Sequence, residues 1–133
     1  MDGDPDPKDD PSIPDEELLY RGVHRIHLKP GPALSSGTFI SRTNPHPSVD
    51  RASLSTPEET HQRRPTDVGV VKLVTGFVRS LTPGVASDPI GGNPAHALII
   101  HDRSLSRSQW KEVALSLARS SAWAIPPPDD LPT

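Results

Sequence analysis

Apolar positions along the chain form short groups separated by proline, glycine and polar residues. Their spacing predicts strands at residues 18–23, 38–40 and 95–100. Residues 68–81 fit two patterns: the valines favour a strand at 69–75, extending towards 79, whereas the three- and four-residue spacing also fits a helix. We favour the strand, because the segment contains two glycines and few strong helix formers.

Two segments begin with helix-capping signals. Thr56 is followed by Pro57 and then by Glu59, which matches a capping box and predicts a helix over 57–63. Further on, Ser106 or Ser108 precedes an apolar stripe that predicts an amphipathic helix ending before residue 126. The stripe consists of Trp110, Val113, Ala114, Leu117 and Ala118. These elements together predict an α+β fold, with a small, mostly antiparallel sheet and the C-terminal amphipathic helix packed on one face.

The two ends of the chain differ in composition from the middle. Residues 1–15 are acidic and rich in proline, which predicts a disordered tail, and residues 126–133 form a second proline-rich tail. A single α+β domain is expected over 16–125. The net charge is −7 over residues 1–17 and +6 over 18–125. The acidic residues 1–17 are therefore expected either to keep the chain solvated or to shield a basic surface, and we favour solvation.

Composition excludes several classes of protein. The 133-residue chain has no cysteine, so disulfides, thiolate zinc sites and cysteine nucleophiles are excluded. No apolar signal region follows Met1 and no apolar run is long enough to span a bilayer, which predicts a cytoplasmic protein with no membrane partner. The six histidines lack metal-ligand spacing, and no cofactor or metal is expected. High proline, arginine, aspartate and alanine content suggests a bacterial source.

Three polar positions suggest acid–base chemistry. His96 lies at the mouth of the 95–100 strand between alanines, as a general base or a buried structural histidine would. If residues 48–51 are extended, Ser48 and Asp50 share a face, so that Asp50 orients His96 and Ser48 acts as a nucleophile. The simpler alternative is a turn in which Asp50 pairs with Arg51 or Arg21, or accepts hydrogen bonds from backbone amides.

A second group of residues suggests anion binding. Arg21 on the first strand is a candidate anion ligand, together with Ser35, Ser36, Arg51 and Asn93. The first half of the chain is basic enough to contact nucleic acid, but the two Phe, one Tyr and two Trp of the whole chain provide few stacking surfaces. Nucleic acid is therefore a partner that the sequence allows but does not favour.

Four segments carry a resemblance: Leu19-Tyr20-Arg21, Ser35-Ser36 with Phe39, Ser48-Val49-Asp50-Arg51-Ala52, and Asn93-Pro94-Ala95-His96-Ala97. With them the chain resembles a family of small uncharacterised bacterial proteins, which implies a free-standing domain. The residues favour a module that binds an anionic small ligand or a partner protein. The alternatives are a small hydrolase or transferase that uses His96 with Asp50, Ser48 and Arg21, and a nucleic-acid-associated protein.

Overall fold

A computed structural model describes residues 7–41 and 45–129, which build one antiparallel sheet, a small hairpin and three α-helices. The elements are β1 (Leu18–Val23), β2 (Leu28–Lys29), β3 (Ala33–Leu34), β4 (Ser48–Arg51), α1 (Pro57–Arg63), β5 (Gly69–Val74), α2 (Thr75–Leu81), β6 (Val85–Ser87), β7 (His96–Ile99), α3 (Arg107–Ser120) and β8 (Ala122–Ile125). The six-stranded sheet has the order β6-β7-β4-β1-β5-β8, and β2 pairs with β3 separately. The α+β class and the antiparallel sheet are confirmed.

Both predicted helix starts are present as reciprocal caps. The Thr56 hydroxyl accepts from the Glu59 amide at 3.1 Å, and the Glu59 carboxylate accepts from the Thr56 amide at 2.9 Å. Ser106 and Gln109 exchange the same pair of bonds at the start of α3. Each cap satisfies two amides that have no partner within the helix, so the local sequence fixes where α1 and α3 begin.

The core lies on one face of the sheet. Strand alternation places Leu19, Leu73 and Ile99 on this face, and all three are almost fully buried. Helix α3 contributes four buried side chains to the same cluster: Trp110, Ala114, Leu117 and Ala118. The opposite face of the central strands carries Tyr20, Asp50 and His96 beside the buried Val70 and Leu98, and the candidate site lies there.

Three predicted elements differ from the structure. Residues 38–40 are not a strand, because Ser36–Phe39 forms a 3-10 helix that buries Phe39. The strand at 69–75 is present as β5, but its extension to 79 is wrong because the chain turns into α2 at Thr75. The C-terminal helix stops at Ser120, and residues 122–125 form the edge strand β8 against β5.

The predicted disorder of residues 1–15 is wrong for residues 9–15. The side chain of Ile13 is fully buried in the core, and the Asp10 amide donates to the Val85 carbonyl at 2.8 Å. Arg79 on α2 pairs with Asp9 at 3.0 Å and with Asp15 at 2.6 Å. A single apolar residue and charge pairing with Arg79 thus order a segment whose composition predicts disorder. Residues 1–6 of that tail, and residues 130–133 of the other, lie outside the described part of the chain.

Within the described residues, no helix is both long and apolar enough to cross a bilayer.

Candidate functional site

A row of polar residues crosses three adjacent strands on the face opposite the core. Tyr20 on β1 lies opposite Asp50 on β4, and Asp50 lies opposite His96 on β7. Because side chains alternate along a strand, this register brings all three onto one face. Helix α1 covers the row, since its Thr60 and Arg63 both bond to Asp50.

The carboxylate of Asp50 is buried and saturated by side-chain donors. One oxygen accepts from the Thr60 hydroxyl and from Arg63 Nη1, both at 2.8 Å. The other oxygen accepts from Asn93 Nδ2 at 2.9 Å. Asp50 therefore joins β4 to α1 and to the loop before β7, which is a structural task.

The predicted Asp50–His96 pair is not formed. The Nδ1 atom of His96 lies 2.9 Å from the backbone carbonyl of Asp88 and 3.1 Å from its carboxylate. Among the described residues, Nε2 of His96 has no hydrogen-bond partner, and the side chain lines a pocket. Asp88 therefore holds the imidazole in place of Asp50, because the loop before β7 returns beside the ring.

Arg21 is held by neutral groups. Its Nε donates to the Thr38 carbonyl at 2.5 Å, and Nη1 donates to the Ser48 carbonyl at 2.6 Å. Burial lowers the pKa of the Arg21 guanidinium to about 10, the nearby Arg64 charge acts in the same direction, and Asp67 opposes both. The group remains charged at neutral pH, and no carboxylate bonds to it directly in the part of the chain that the structure describes.

A pocket of about 360 Å³ opens over this face of the sheet. Its charged lining residues are Arg21, Arg63, Arg64 and Asp50, with His96 beside them. Arg21 borders the pocket from the core face, because strand alternation pairs it with the buried Val71. The remaining lining includes Tyr20, Ser48, Asn93 and a rim formed by Ile90, Gly91 and Gly92. The pocket falls in the size range of small-molecule sites.

The rim is a tight turn stabilised by a pair of backbone hydrogen bonds between Ile90 and Asn93. Gly92 has φ 80°, a left-handed conformation that glycine adopts without strain. Over the described ranges, neither the Gly91 nor the Gly92 amide donates to another backbone carbonyl. Two residues of the pocket lining thus have backbone amides with no bonded acceptor among the described residues.

Arg64 has a buried counter-charge. Its Nε lies 3.3 Å from the Asp67 carboxylate, whose side chain is almost fully buried against Gly22. Neither Asp67 oxygen accepts a well-formed hydrogen bond from any described residue. Of the residues that line the pocket, three carry a guanidinium group and one a carboxylate, while Asp67 contacts Arg64 and Asp88 contacts His96 from outside the lining.

The structure brings some predicted site residues together and separates others. Arg21, Ser48, Asp50, Asn93 and His96 all line the one pocket. The three remaining predicted ligands lie elsewhere. Arg51 makes a two-pronged ion pair with Glu17 at 3.1 and 3.2 Å, Ser35 lies beside His27, and Ser36 begins a 3-10 helix.

Sequence reasoning missed three features of the site. A helix over 57–63 puts Thr60 and Arg63 three residues apart on one face, so the capping box already contained the signal for the contacts of α1 with Asp50. The Gly91-Gly92 pair predicts a turn, but nothing in the sequence indicates that this turn lines the pocket. No local pattern indicates that Asp88 turns back onto His96.

Metal ligation has no support in residues 7–41 and 45–129, where no cluster of three or more histidine or acidic side chains is arranged to hold an ion.

Comparison of the chain with protein-family models, with curated proteins and with solved structures found no match. The resemblance to small bacterial proteins therefore stays a prediction, and the pocket is the feature of the chain that bears on function.

Proposed function

We propose that this chain is a binding module whose pocket between α1 and the loop before β7 holds a small anionic ligand carrying a phosphate or carboxylate group. The observation that carries the proposal is the bonding of Arg21. Its charge is partly buried, and its two hydrogen bonds to described residues go to neutral backbone carbonyls. A cation that is desolvated without a bonded carboxylate gains most from an anion that enters beside it.

The neighbouring groups support the same ligand class. Among the described residues, Asp50 and Ser55 both bond to one terminal nitrogen of Arg63, and its second terminal nitrogen keeps its donors. Arg64 is mostly exposed at the pocket edge. Guanidinium groups match the geometry of phosphate and carboxylate oxygens, and the turn at Gly91 and Gly92 adds backbone donors.

The rim sets a preference for the rest of the ligand. Ile90 is 50% exposed at the pocket mouth although it is a large apolar residue. An apolar residue left at the edge of a charged pocket favours a ligand with an apolar body and an anionic head.

Titration of the isotope-labelled protein with inorganic phosphate, and separately with acetate, tests the proposal. We expect saturable NMR shifts at the amides of Gly91 and Gly92 and at Arg21. Ile90→Glu places a negative charge on the exposed rim without emptying the core, so phosphate binding should weaken about tenfold. Leu54→Glu is the matched control, because Leu54 is equally exposed and does not line the pocket.

Two results would contradict the proposed binding of an anion in this pocket. The first is the absence of saturable shifts in the pocket with either anion. The second is an equal loss of affinity in Ile90→Glu and Leu54→Glu, which would place the anion outside the pocket. Recognition of a partner protein, and nucleic-acid association through the basic first half of the chain, stay predictions.

A further inference from the structure

The orientation of His96 is fixed on one side of its ring only. Nδ1 lies within hydrogen-bonding distance of two acceptors, the Asp88 carbonyl at 2.9 Å and the Asp88 carboxylate at 3.1 Å. An atom between two acceptors carries the proton, so in the neutral ring the lone pair is on Nε2. The side chain is 17% exposed, and Nε2 has no partner among the described residues.

That lone pair belongs to a residue of the cationic pocket. His96 shares the pocket with Arg21, Arg63 and Arg64, while the carboxylate of Asp50 is already saturated by three donors. An unprotonated imidazole nitrogen is a good nucleophile, and guanidinium groups reduce the charge repulsion that a phosphate presents to an attacking lone pair. These two requirements for phosphoryl transfer are met in one cavity.

We propose that Nε2 of His96 accepts a phosphoryl group from a small phosphoryl donor of the acyl phosphate class bound in this pocket. The proposal rests on the anion-binding function proposed above and adds a reaction to it. Asp88 is a positioning residue, because it presents Nε2 to the ligand and holds the Nδ1 proton while the ring becomes positively charged.

The step balances without any other reactant. The Nε2 lone pair forms a bond to phosphorus while the bond between phosphorus and the acyl oxygen breaks, and the carboxylate leaves with that electron pair. The positive charge formed on the ring is shared with Nδ1–H and is stabilised by Asp88. Water then attacks phosphorus, the N–P pair returns to Nε2, and inorganic phosphate and a proton are released.

Acetyl phosphate is the probe that tests the proposal on the full chain. We expect intact-mass analysis to show the gain of one phosphoryl group, labile in acid and stable in alkali, which peptide mapping places on His96. If the adduct hydrolyses quickly, acetate release above the background rate is the corresponding readout. Both signals should be lost in His96→Gln and kept in His24→Gln, because His24 is exposed and lies outside the pocket.

Two further measurements separate the role of His96 from a structural one. Long-range proton–nitrogen NMR should show a neutral ring protonated on Nδ1, as the contacts with Asp88 require. Asp88→Asn keeps the carbonyl contact and loses the carboxylate charge, so labelling should slow about tenfold while phosphate binding persists.

The outcomes distinguish this proposal from the binding function. Pocket shifts with phosphate, but neither a label nor acetate release, would overturn phosphoryl transfer and leave the binding module standing. No shifts and no label would overturn both. A label on other histidines, a label retained in His96→Gln, or a ring protonated on Nε2 would overturn the assignment of His96.

Discussion

Asp50 offers the sharpest test of how the site is built. Asp50→Asn keeps the size of the side chain and removes its charge. The bonds from Thr60, Arg63 and Asn93 then lose a charged acceptor, and the new amide nitrogen faces donors on one side: either Asn93 Nδ2 or both Thr60 and Arg63. Hydrogen bonds to a charged group contribute about 1.5–3 kcal/mol each.

The expected loss of stability is about 3 kcal/mol. Three such bonds set an upper value of about 9 kcal/mol, but the amide oxygen still accepts from part of this set, and Arg63, 29% exposed, regains part of its hydration when the carboxylate is neutralised. With a urea m-value of about 1.5 kcal/mol/M, the unfolding midpoint should fall by about 2 M. Fluorescence of the buried Trp110 reports the transition, and Glu112→Gln on the exposed face of α3 is the control.

The same substitution has an opposite effect on binding. Removal of the Asp50 charge leaves Arg63 uncompensated in the pocket, so phosphate should bind several-fold more tightly to the folded variant at low temperature. If Asp50 served the ligand directly, binding would weaken instead. An unchanged urea midpoint, or weaker phosphate binding, would refute the reasoning.

Three other substitutions test the contacts that join the N-terminal segment to the sheet. Glu17→Gln should cost about 2–3 kcal/mol at pH 7. Burial alone would raise the pKa of the Glu17 carboxyl, but hydrogen bonds from Arg51 and Ser53 outweigh burial and lower it below the ordinary 4.5. The carboxylate therefore stabilises the fold above pH 4.5 and loses this effect as the pH falls through the folded-state pKa, so the urea curves of variant and parent should converge in acid; a constant gap contradicts this. Ile13→Ala should cost about 2–4 kcal/mol in the same assay, whereas no cost would mean that the residue is not packed. Arg79→Met should expose the N-terminal segment to limited proteolysis, with Arg107→Met cut no faster than the parent.

Local signals predicted the elements that local interactions determine. The capping boxes located α1 and α3, and the apolar runs located β1 and β7. Prediction from sequence failed for the elements whose structure depends on contacts with residues distant in the chain. Strand β8 exists because β5 offers an edge for residues 122–125, and Thr75 opens α2 because its amide and hydroxyl both donate to the Glu17 carbonyl.

The site was predictable in position more than in detail. Strand pairing brings Tyr20, Asp50 and His96 onto one face, since the three share one register, whereas strand alternation puts Arg21 on the core face with Leu19. The partners of Asp50 and His96 were not predictable from sequence. The Asp50 carboxylate accepts hydrogen bonds from Thr60, Arg63 and Asn93, and the His96 ring is held by Asp88. These contacts form only in the folded chain, and no spacing in the sequence indicates them.

The contacts at Val85 have a consequence for self-association. Strand β6 ends the sheet on one side, and the outward-facing polar groups of Val85 are both occupied: its amide donates to Asp9 at 2.9 Å and its carbonyl accepts from the Asp10 amide at 2.8 Å. An uncovered edge strand invites hydrogen bonding by a strand from another molecule. The segment that contains Asp9 and Asp10 thus covers part of the β6 edge. A truncated chain that begins at β1 would expose this edge and would be more prone to aggregate.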